Sequence, residues 1–373
     1  MAYTDIDKPD DYFNTVLYTG NATTNAITGV GFQPDLIWVK SRSAVSNSNL
    51  IDSVRGVKKH VSSSSTNAED TEGGSNGLSS FDSDGFTWSG VNTGTGTVNA
   101  SSTTYVGWSW LGGGTAVSNT DGSITSTVSA NTTSGFSIVS WTGTGADGTV
   151  GHGLGTTPAM IITKARSAYG SDAWVVFHQK SWGNDGNGLA LNNTASIYNR
   201  VSDLAGTGIT AWSSSTFTIN QGSATYLNNT SIPYIGYCWS EVKGYSKFGS
   251  YTGNGSADGT FIYTGFKPAF LLVKRTDTAG NWIIWDNKRN NDTPAGANYI
   301  DLLLYPNASD AEVDTGGAYF VDILSNGFKL RGTGADSNAS GGTYIYMAFA
   351  ENPFVTSTTN GSIPATARWW HLF

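Results

Sequence analysis

The sequence contains a single cysteine, Cys238, among its 373 residues. One cysteine cannot form a disulfide within the chain, so the fold must be stabilised by its apolar cores. Charged residues are also scarce: they make up 13% of the sequence, against roughly 25% in ordinary soluble domains. The formal net charge is −8, so the sequence offers neither the basic patch that binds nucleic acid nor a polybasic segment for a membrane surface.

Long apolar runs are missing as well. No stretch approaches the roughly 18 consecutive apolar residues of a transmembrane helix. Residues 1–12 are polar and acidic, and they lack the apolar region of a secretory signal peptide. The sequence therefore predicts synthesis in a cytoplasm, no membrane insertion and no nucleic-acid partner.

Glycine and aromatic residues are abundant. The chain has 47 glycines, and 12% of its residues are Phe, Trp or Tyr. A chain of low charge and many aromatics can bury enough apolar surface to fold, which argues against disorder. Turn-forming residues regularly interrupted by aromatics are typical of an all-β protein.

Three stretches of the sequence are alike, at residues 31–42, 155–166 and 265–276. Each begins with a glycine, continues through a proline (Pro34, Pro158 or Pro268) to a short apolar run, and ends at basic residues. This pattern is typical of a buried strand. The prolines lie more than a hundred residues apart, far beyond the period of solenoid repeats. The sequence therefore predicts three tandem, similar antiparallel β-sandwich domains, an internal threefold repeat.

This repeat fixes the predicted domain boundaries. The prediction comprises an N-terminal arm at 1–12, a first β-sandwich at 13–112, a linker at 113–134, a second β-sandwich at 135–243, a third at 244–354 and a C-terminal tail at 355–373.

An aromatic residue stands directly before Thr-Gly at the end of the first predicted strand of each domain, at Tyr18, Trp141 and Tyr251. Matched placement in all three domains favours packing against the domain's own strands. The alternative is an exposed platform on which a sugar ring stacks. Binding residues are instead expected where the three copies differ most, in the polar segments 62–77, 183–208 and 290–317, because long loops on a rigid frame often carry specificity.

Motifs for cofactors and metals are weak. Residues 143–148 match the G-x-G-x-x-G pattern, but no helix pattern follows that could hold a pyrophosphate. The four histidines, His60, His152, His178 and His371, share no metal-ligand spacing. We therefore expect no cofactor and no metal site.

Two glutamates occupy matching places after the last strand of the second and third domains, Glu241 and Glu351. Glycoside hydrolysis needs two carboxyl groups about 5 to 9.5 Å apart. Equivalent residues in separate domains are not expected to lie this close together. Pairing with a cation such as Lys180 or Lys288 is the preferred interpretation. The sequence also lacks a nucleophile elbow, a zinc-protease motif and a phosphate-binding loop, and so predicts no enzyme.

Four runs carry a resemblance to a known family: DYFNTVLYTGN at 11–21, GVGFQPDLIWVK at 29–40, YSKFGSYTGNGSADG at 245–259 and AFAENPF at 348–354. They resemble virion structural proteins of tailed phages, especially phages of marine bacteria. The resemblance implies a fibre-like or decoration protein on the particle exterior, made in the host cytoplasm, and it carries over no catalytic residue.

Two placements on a particle follow from this resemblance. A tail fibre or spike component would adhere to a host-surface glycan or to other virion proteins. A capsid decoration protein is the alternative, since three domains in one chain can mimic a trimer at a threefold site. A glycan-degrading virion enzyme and a bacterial lectin-like module are less favoured, and the oligomeric state is left open.

The C-terminal segment combines a polar tether, 355–367, with a cluster of large apolar residues. Exposing these side chains would favour aggregation. They are therefore expected to be buried, either in a groove of the same chain or as a partner anchor on a neighbouring virion protein. The predicted anchor residues are Trp369, Trp370, Leu372 and Phe373.

Overall fold

In the structure, a computed structural model, the regular secondary structure of the described residues is almost all β-strand. The helices in the described part of the chain are a 3-10 turn, Pro9–Asp11, and a short α-helix, α1, Ala335–Asn338. The predicted all-β class is confirmed. None of the helices in the described part of the chain has the length and apolar character needed to cross a membrane. The described residues are 4, 6–74, 76–92, 96–167, 173–181, 187–199, 206–222, 226–289 and 299–353.

The strands between residues 13 and 110 form what we call the first unit. They are β1 Phe13–Thr19, β2 Asn25–Thr28, β3 Leu36–Ser41, β4 Asn49–Asp52, β5 Lys59–Ser62, β6 Asp70–Thr71, β7 Leu78–Asp82, β8 Gly85–Trp88 and β9 Thr104–Trp110. Six of them form a larger sheet in the order β1-β9-β3-β4-β5-β6, and three form a smaller sheet in the order β2-β8-β7.

The strands between residues 117 and 239 form the second unit. They are β10 Val117–Asn119, β11 Ser126–Asn131, β12 Phe136–Thr142, β13 Gly148–Gly151, β14 Met160–Ala165, β15 Val175–His178, β16 Leu189–Ala190, β17 Gly208–Trp212, β18 Thr216–Asn220 and β19 Pro233–Trp239. The larger sheet has the order β10-β11-β12-β19-β14-β15-β16, and the smaller sheet has the order β13-β18-β17.

Residues 113–134, predicted as a linker, are part of this second sheet. They contain β10 and β11, and β11 pairs antiparallel with β12 along its whole length, from Ser126 opposite Trp141 to Asn131 opposite Phe136. The segment consists mostly of small polar residues with a few apolar ones, which suits strands at the margin of a sheet with one covered face; β10 is the edge strand and β11 is its neighbour. The low hydrophobicity of the segment explains why its sequence suggests a linker.

The strands between residues 246 and 353 form the third unit. They are β20 Ser246–Thr252, β21 Phe261–Tyr263, β22 Phe266–Arg275, β23 Trp282–Asp286, β24 Tyr299–Ile300, β25 Leu302–Leu303, β26 Val313–Asp314, β27 Val321–Leu324, β28 Gly327–Leu330 and β29 Thr343–Pro353. The sheets have the orders β20-β29-β22-β23, β21-β28-β27-β24 and β25-β26.

The proline-led strand has the same neighbours in each unit. β3, β14 and β22 pair antiparallel with the last strand of their unit, β9, β19 and β29, and on the other side with the next strand along the chain, β4, β15 and β23. Pro34 and Pro158 precede their strands, whereas Pro268 lies within β22 at a register shift. Proline is tolerated at such an irregularity because it has no N–H to donate to the ladder.

Each unit encloses an apolar core of its own, so its sheets are arranged like a β-sandwich. The rings that precede Thr-Gly lie in these cores. Tyr18, Trp141 and Tyr251 stack on the aromatic residue directly opposite on the last strand, with ring centroids 5.1, 5.3 and 4.9 Å apart. Trp141 is only 3% exposed, so its ring is not accessible to a sugar.

The other faces of the three larger sheets share one central core. Trp110 of β9 is fully buried there. Its ring lies within 6.4 Å, centroid to centroid, of rings from all three units. Those neighbouring rings are Phe13, Phe136, Trp239, Phe270 and Phe349. The three units are therefore held together by one aromatic cluster.

Lysine side chains join each unit to another unit of the same chain. Lys40, Lys164 and Lys274, each near the end of a proline-led strand, donate through Nζ to backbone carbonyls. Their acceptors are Ala308 in the third unit at 2.8 Å, Thr66 in the first at 3.0 Å and Thr194 in the second at 3.1 Å. The first, second and third units therefore form a closed ring.

Backbone hydrogen bonds follow the same ring. Glu69 N donates to Arg166 O, Ile197 N to Thr276 O and Glu312 N to Arg42 O, at 2.8, 3.2 and 2.8 Å. Each bond joins a long segment of one unit to the residue just after the proline-led strand of another.

A buried ion pair supports the interface between the first and second units. Arg55 Nε lies 2.5 Å from Asp52 Oδ2, and neither side chain is exposed. Tyr237 of β19 donates its hydroxyl to Asp52 at 2.8 Å, and Glu69 accepts from both Arg55 and Arg166. Burial acts to lower the pKa of Arg55, but Asp52, Tyr237 and Glu69 together outweigh it, and the pKa is raised above its ordinary value.

The same construction supports the interface between the third and first units. Arg289 Nε lies 2.5 Å from Asp286 Oδ2, again with both side chains buried. Trp108 of β9 donates Nε1 to Asp286 at 2.9 Å. Glu312 accepts from both Arg289 and Arg42.

At the interface between the second and third units, a neutral histidine stands at the strand end where the other two interfaces have the aspartate of a buried ion pair. His178, at the end of β15, is buried, and its Nε2 lies 3.2 Å from Tyr346 O. Its Nδ1 accepts from Lys180 N at 3.1 Å. These two contacts assign the neutral tautomer with the proton on Nε2.

His178 is expected to make the protein sensitive to acid. Burial lowers its pKa from 6.5 to about 4, so the unfolded chain binds more protons between these two values. Stability is then fully present above about pH 6.5 and falls as the pH drops toward 4, by at most about 1.4 kcal/mol per pH unit. Denaturant unfolding at several pH values measures this dependence.

The variant His178→Gln is the control for this measurement. Carboxylates also titrate in this range, so the difference between the two proteins isolates the histidine. We expect a flatter profile for the variant between pH 6.5 and 4; two parallel profiles would contradict the assignment.

Candidate functional site: two grooves between the units

Two open grooves lie where the larger sheets of neighbouring units meet. The 2/3 groove, between the second and third units, has a volume of about 640 Å³. The 3/1 groove, between the third and first units, has a volume of about 620 Å³. Polar groups line both: Thr156, Thr157, Gln179, Lys180, Glu241, Lys247 and Ser250 in the 2/3 groove, and Asp7, Lys8, Asp10, Asn14, Lys288, Glu351 and Asn352 in the 3/1 groove.

Matching strands position one glutamate and one lysine in each groove. Glu241 follows β19 and Glu351 lies near the end of β29, while Lys180 and Lys288 follow β15 and β23 by two residues. Strand ends of one unit thus face the first strand of the next. The two glutamates that the sequence singled out therefore line separate grooves.

The glutamates are paired with other lysines than predicted. Glu241 lies 2.5 Å from Lys247, on the first strand of the third unit, and Glu351 lies 2.8 Å from Lys267, on β22. Lys267 stands opposite Asn352 in the ladder, which brings its side chain beside Glu351. Lys180 and Lys288 are exposed, and among the described residues neither ammonium group has an ion-pair partner.

The interface between the first and second units is built differently. Asp35 directly precedes β3, at the position that Ala159 has before β14. Its carboxylate accepts hydrogen bonds from Gly112 N at 2.8 Å and from Ser53 Oγ at 2.6 Å. A Cβ on Gly112 would lie 2.9 Å from both Asp35 Cβ and Ser129 Oγ. The chain leaving the first unit therefore packs against Asp35, and only glycine fits where the other units place a glutamate.

The two grooves differ in charge. The 2/3 groove has two lysines, Lys180 and Lys247, and one carboxylate, whereas the 3/1 groove has two lysines and three carboxylates. Hydroxyl, amide, ammonium and carboxylate groups together offer the donors and acceptors that a polyhydroxylated ligand requires. Because the 2/3 groove has one more lysine than it has carboxylates, it suits a neutral or acidic ligand.

The segments predicted to bind ligands lie, where described, at the unit interfaces. Segment 62–77 supplies Thr66 and Glu69, segment 183–208 supplies Thr194 and Ile197, and segment 290–317 supplies Ala308 and Glu312 to the contacts above. Their length is explained by their reach to a neighbouring unit. Residues 75, 183–186, 200–205 and 290–298 lie outside the described part.

The other predicted sites have the following positions. Trp369, Trp370, Leu372 and Phe373 lie outside the described residues, as does His371. His152 and His178 are buried separately, each bonded to a backbone carbonyl. His60 is brought next to Asp70 and Glu72. Sequence spacing missed this group, because His60 and Asp70 meet across two strands. The signal was the alternation Asp70-x-Glu72 opposite a histidine.

Comparison with known proteins gives one finding. Residues 8–353 match the model of a family described as a domain of unknown function, DUF7483. The match includes all three units. No curated protein and no solved structure matches the chain.

Proposed function

The chain belongs to this DUF7483 family, and we propose that it is a non-enzymatic structural protein on the exterior of a tailed phage particle. The proposal rests on the four runs that resemble virion structural proteins. The closed arrangement of the units supports it, because a body whose cores and interfaces all lie within one chain needs no disulfide to persist outside a cell.

We also propose that the three units are copies of one β-sandwich repeat. The shared order of four strands in each larger sheet supports this proposal. So do the lysine and backbone contacts that recur at the three interfaces.

The function we favour is adhesion of a tail fibre or spike component to a glycan of the host surface, through the 2/3 groove. The observation that carries it is the ammonium group of Lys180, which has no ion-pair partner among the described residues and lies beside exposed hydroxyl and amide groups in an open groove. A ligand with hydroxyl or carboxylate groups satisfies these donors without displacing an existing ion pair.

Binding of the purified chain to host cells and to an array of bacterial surface glycans tests this function. Lys180→Ala is expected to weaken binding at least tenfold, because a charge-assisted hydrogen bond is worth about 1.5 to 3 kcal/mol. The matched control is Lys288→Ala, which removes the equivalent exposed lysine from the 3/1 groove and should leave binding unchanged. Equal affinities for the wild type and Lys180→Ala would exclude the 2/3 groove.

Capsid decoration is the second candidate, favoured by the closed ring of three units. Such a body presents a threefold-like arrangement within one chain and fits a threefold or quasi-threefold capsid site. The predicted apolar anchor, Trp369, Trp370, Leu372 and Phe373, would then attach it to another virion protein. Immunogold labelling of intact particles distinguishes the two placements: label on tails supports adhesion, and label on capsids supports decoration.

A further inference from the structure

A histidine and two carboxylates meet at the edge of the larger sheet of the first unit. β5 and β6 are antiparallel, and His60 stands directly opposite Asp70 in their ladder. Glu72 follows two residues later, and because side chains alternate along an extended chain, it returns to the same face. One ligand atom from each residue lies within 4.8 Å of the others.

The ligand atoms lie somewhat farther apart than those around a bound metal ion. His60 Nε2 lies 4.0 Å from Asp70 Oδ2, and His60 Nδ1 lies 3.9 Å from Glu72 Oε1. Two ligands bound tetrahedrally at about 2.1 Å lie about 3.4 Å apart. One ion binds one nitrogen of the ring, and the two carboxylates lie nearest to different nitrogens of His60. All three ligand atoms nevertheless lie within 4.8 Å of one another, and the Asp70 side chain, which is 43% exposed, can move closer to the ion.

The burial of the group points to a ligand. The side chains of His60 and Glu72 are only 4% and 2% exposed. Nε2 of His60 has no hydrogen-bond partner among the described residues and faces Asp70. A buried polar atom without a partner is costly, and a bound cation would satisfy it while balancing two carboxylates.

We propose that His60, Asp70 and Glu72 bind one divalent transition-metal ion, with water completing the coordination on the open side of Asp70. One imidazole nitrogen with two carboxylate oxygens suits Zn²⁺ or Mn²⁺ better than the all-oxygen coordination of Ca²⁺. This site is independent of the proposed phage function.

The position of the ion gives it a structural role. Asp70 directly follows Glu69, which bonds to Arg55 and Arg166 at the interface of the first and second units. An ion that ties β6 to β5 fixes the backbone from which Glu69 reaches that interface. Metal binding should therefore stabilise the contact between the two units.

Titration of the full chain, purified without a histidine tag and stripped with a chelator, tests the site. We expect one equivalent of Zn²⁺ to bind with micromolar or tighter affinity in calorimetry and to raise the melting temperature. Co²⁺ should give a visible absorption band, and an excess of Ca²⁺ should not displace it.

Variants assign the ligands. His60→Gln, Asp70→Asn and Glu72→Gln should each weaken Zn²⁺ binding at least tenfold, whereas His152→Gln, which alters a buried histidine elsewhere, should bind like the wild type. Asp70 is the exposed member, so Asp70→Asn is expected to fold even if the other two variants do not. Zn²⁺ binding no tighter than millimolar, or unchanged in Asp70→Asn, would overturn the proposal.

Discussion

Replacing Trp110 by alanine is expected to lower the free energy of unfolding by about 3 to 5 kcal/mol, the range measured for large aromatic truncations in protein cores. Trp110 is fully buried and contacts rings of all three units. The cavity left by the indole would lie where the units meet, and no single unit can close it by relaxing alone. Denaturant unfolding followed by fluorescence and by far-ultraviolet circular dichroism measures the loss.

Two further variants show whether the lost stability is specific to the central core or follows from removing any aromatic ring. Trp110→Phe keeps a ring at this place and should recover most of the lost stability. Tyr263→Ala removes a ring that is 54% exposed on β21 and should change stability by no more than about 0.5 kcal/mol. If Trp110→Ala lost no more than Tyr263→Ala, the central aromatic cluster would not be what holds the units together.

The elements of the fold could be predicted because their signals are local. The strand endings at Tyr18, Trp141 and Tyr251 and the proline-led strands follow from alternation and turn residues within a few positions. The register that places Tyr18 opposite Tyr105 is not a local property. The central core is not a local property either. The residue pattern of a strand in a larger sheet shows that its faces are covered, but it does not show that one face is covered by its own unit and the other by the two remaining units.

The long polar segments show most clearly what the sequence could not reveal. Glu69 and Glu312 look like solvated residues of variable loops, yet each accepts hydrogen bonds from two arginines, one of them in another unit. Polarity predicts exposure on average, but a polar segment can equally be buried against a partner that supplies its hydrogen bonds. The loops differ between units because each meets a different neighbour.

The candidate grooves were only partly visible in the sequence. Glu241 and Glu351 were singled out from their matching positions, and their assignment to structural ion pairs rather than a catalytic dyad agrees with their separate grooves. The sequence suggests Lys180 and Lys288 as their partners because these lysines end strands of the same sheet. Side-chain direction at a strand end depends on twist and on the adjoining unit, which sequence spacing does not specify.

Truncation of Arg55 to alanine is the second change for which we expect a large effect, a loss of about 3 to 5 kcal/mol in unfolding free energy. The guanidinium of Arg55 is bonded to Asp52, Glu69, Leu50 O and Tyr237 across the interface of the first and second units. Removing it leaves the Asp52 carboxyl group buried, and its remaining partners among the described residues are the Tyr237 hydroxyl and the backbone N–H of residue 55. The loss should persist at high salt, because a buried charge is poorly screened.

Comparison with other variants tells whether this loss reflects an orphaned charge or lost packing. Arg55→Met keeps a side chain of similar length to the arginine stem but leaves Asp52 without its cation. In Asp52→Asn/Arg55→Met both charges are gone, so the double variant should be more stable than Arg55→Met. Lys8→Ala, which removes an exposed ion pair with Asp10 and Asp11, should leave the unfolding midpoint unchanged. Arg289→Ala should resemble Arg55→Ala, because Asp286 would be left buried beside Trp108 in the same way. If the double variant were no more stable than Arg55→Met, the unpaired Asp52 carboxylate would not account for the loss seen in Arg55→Ala.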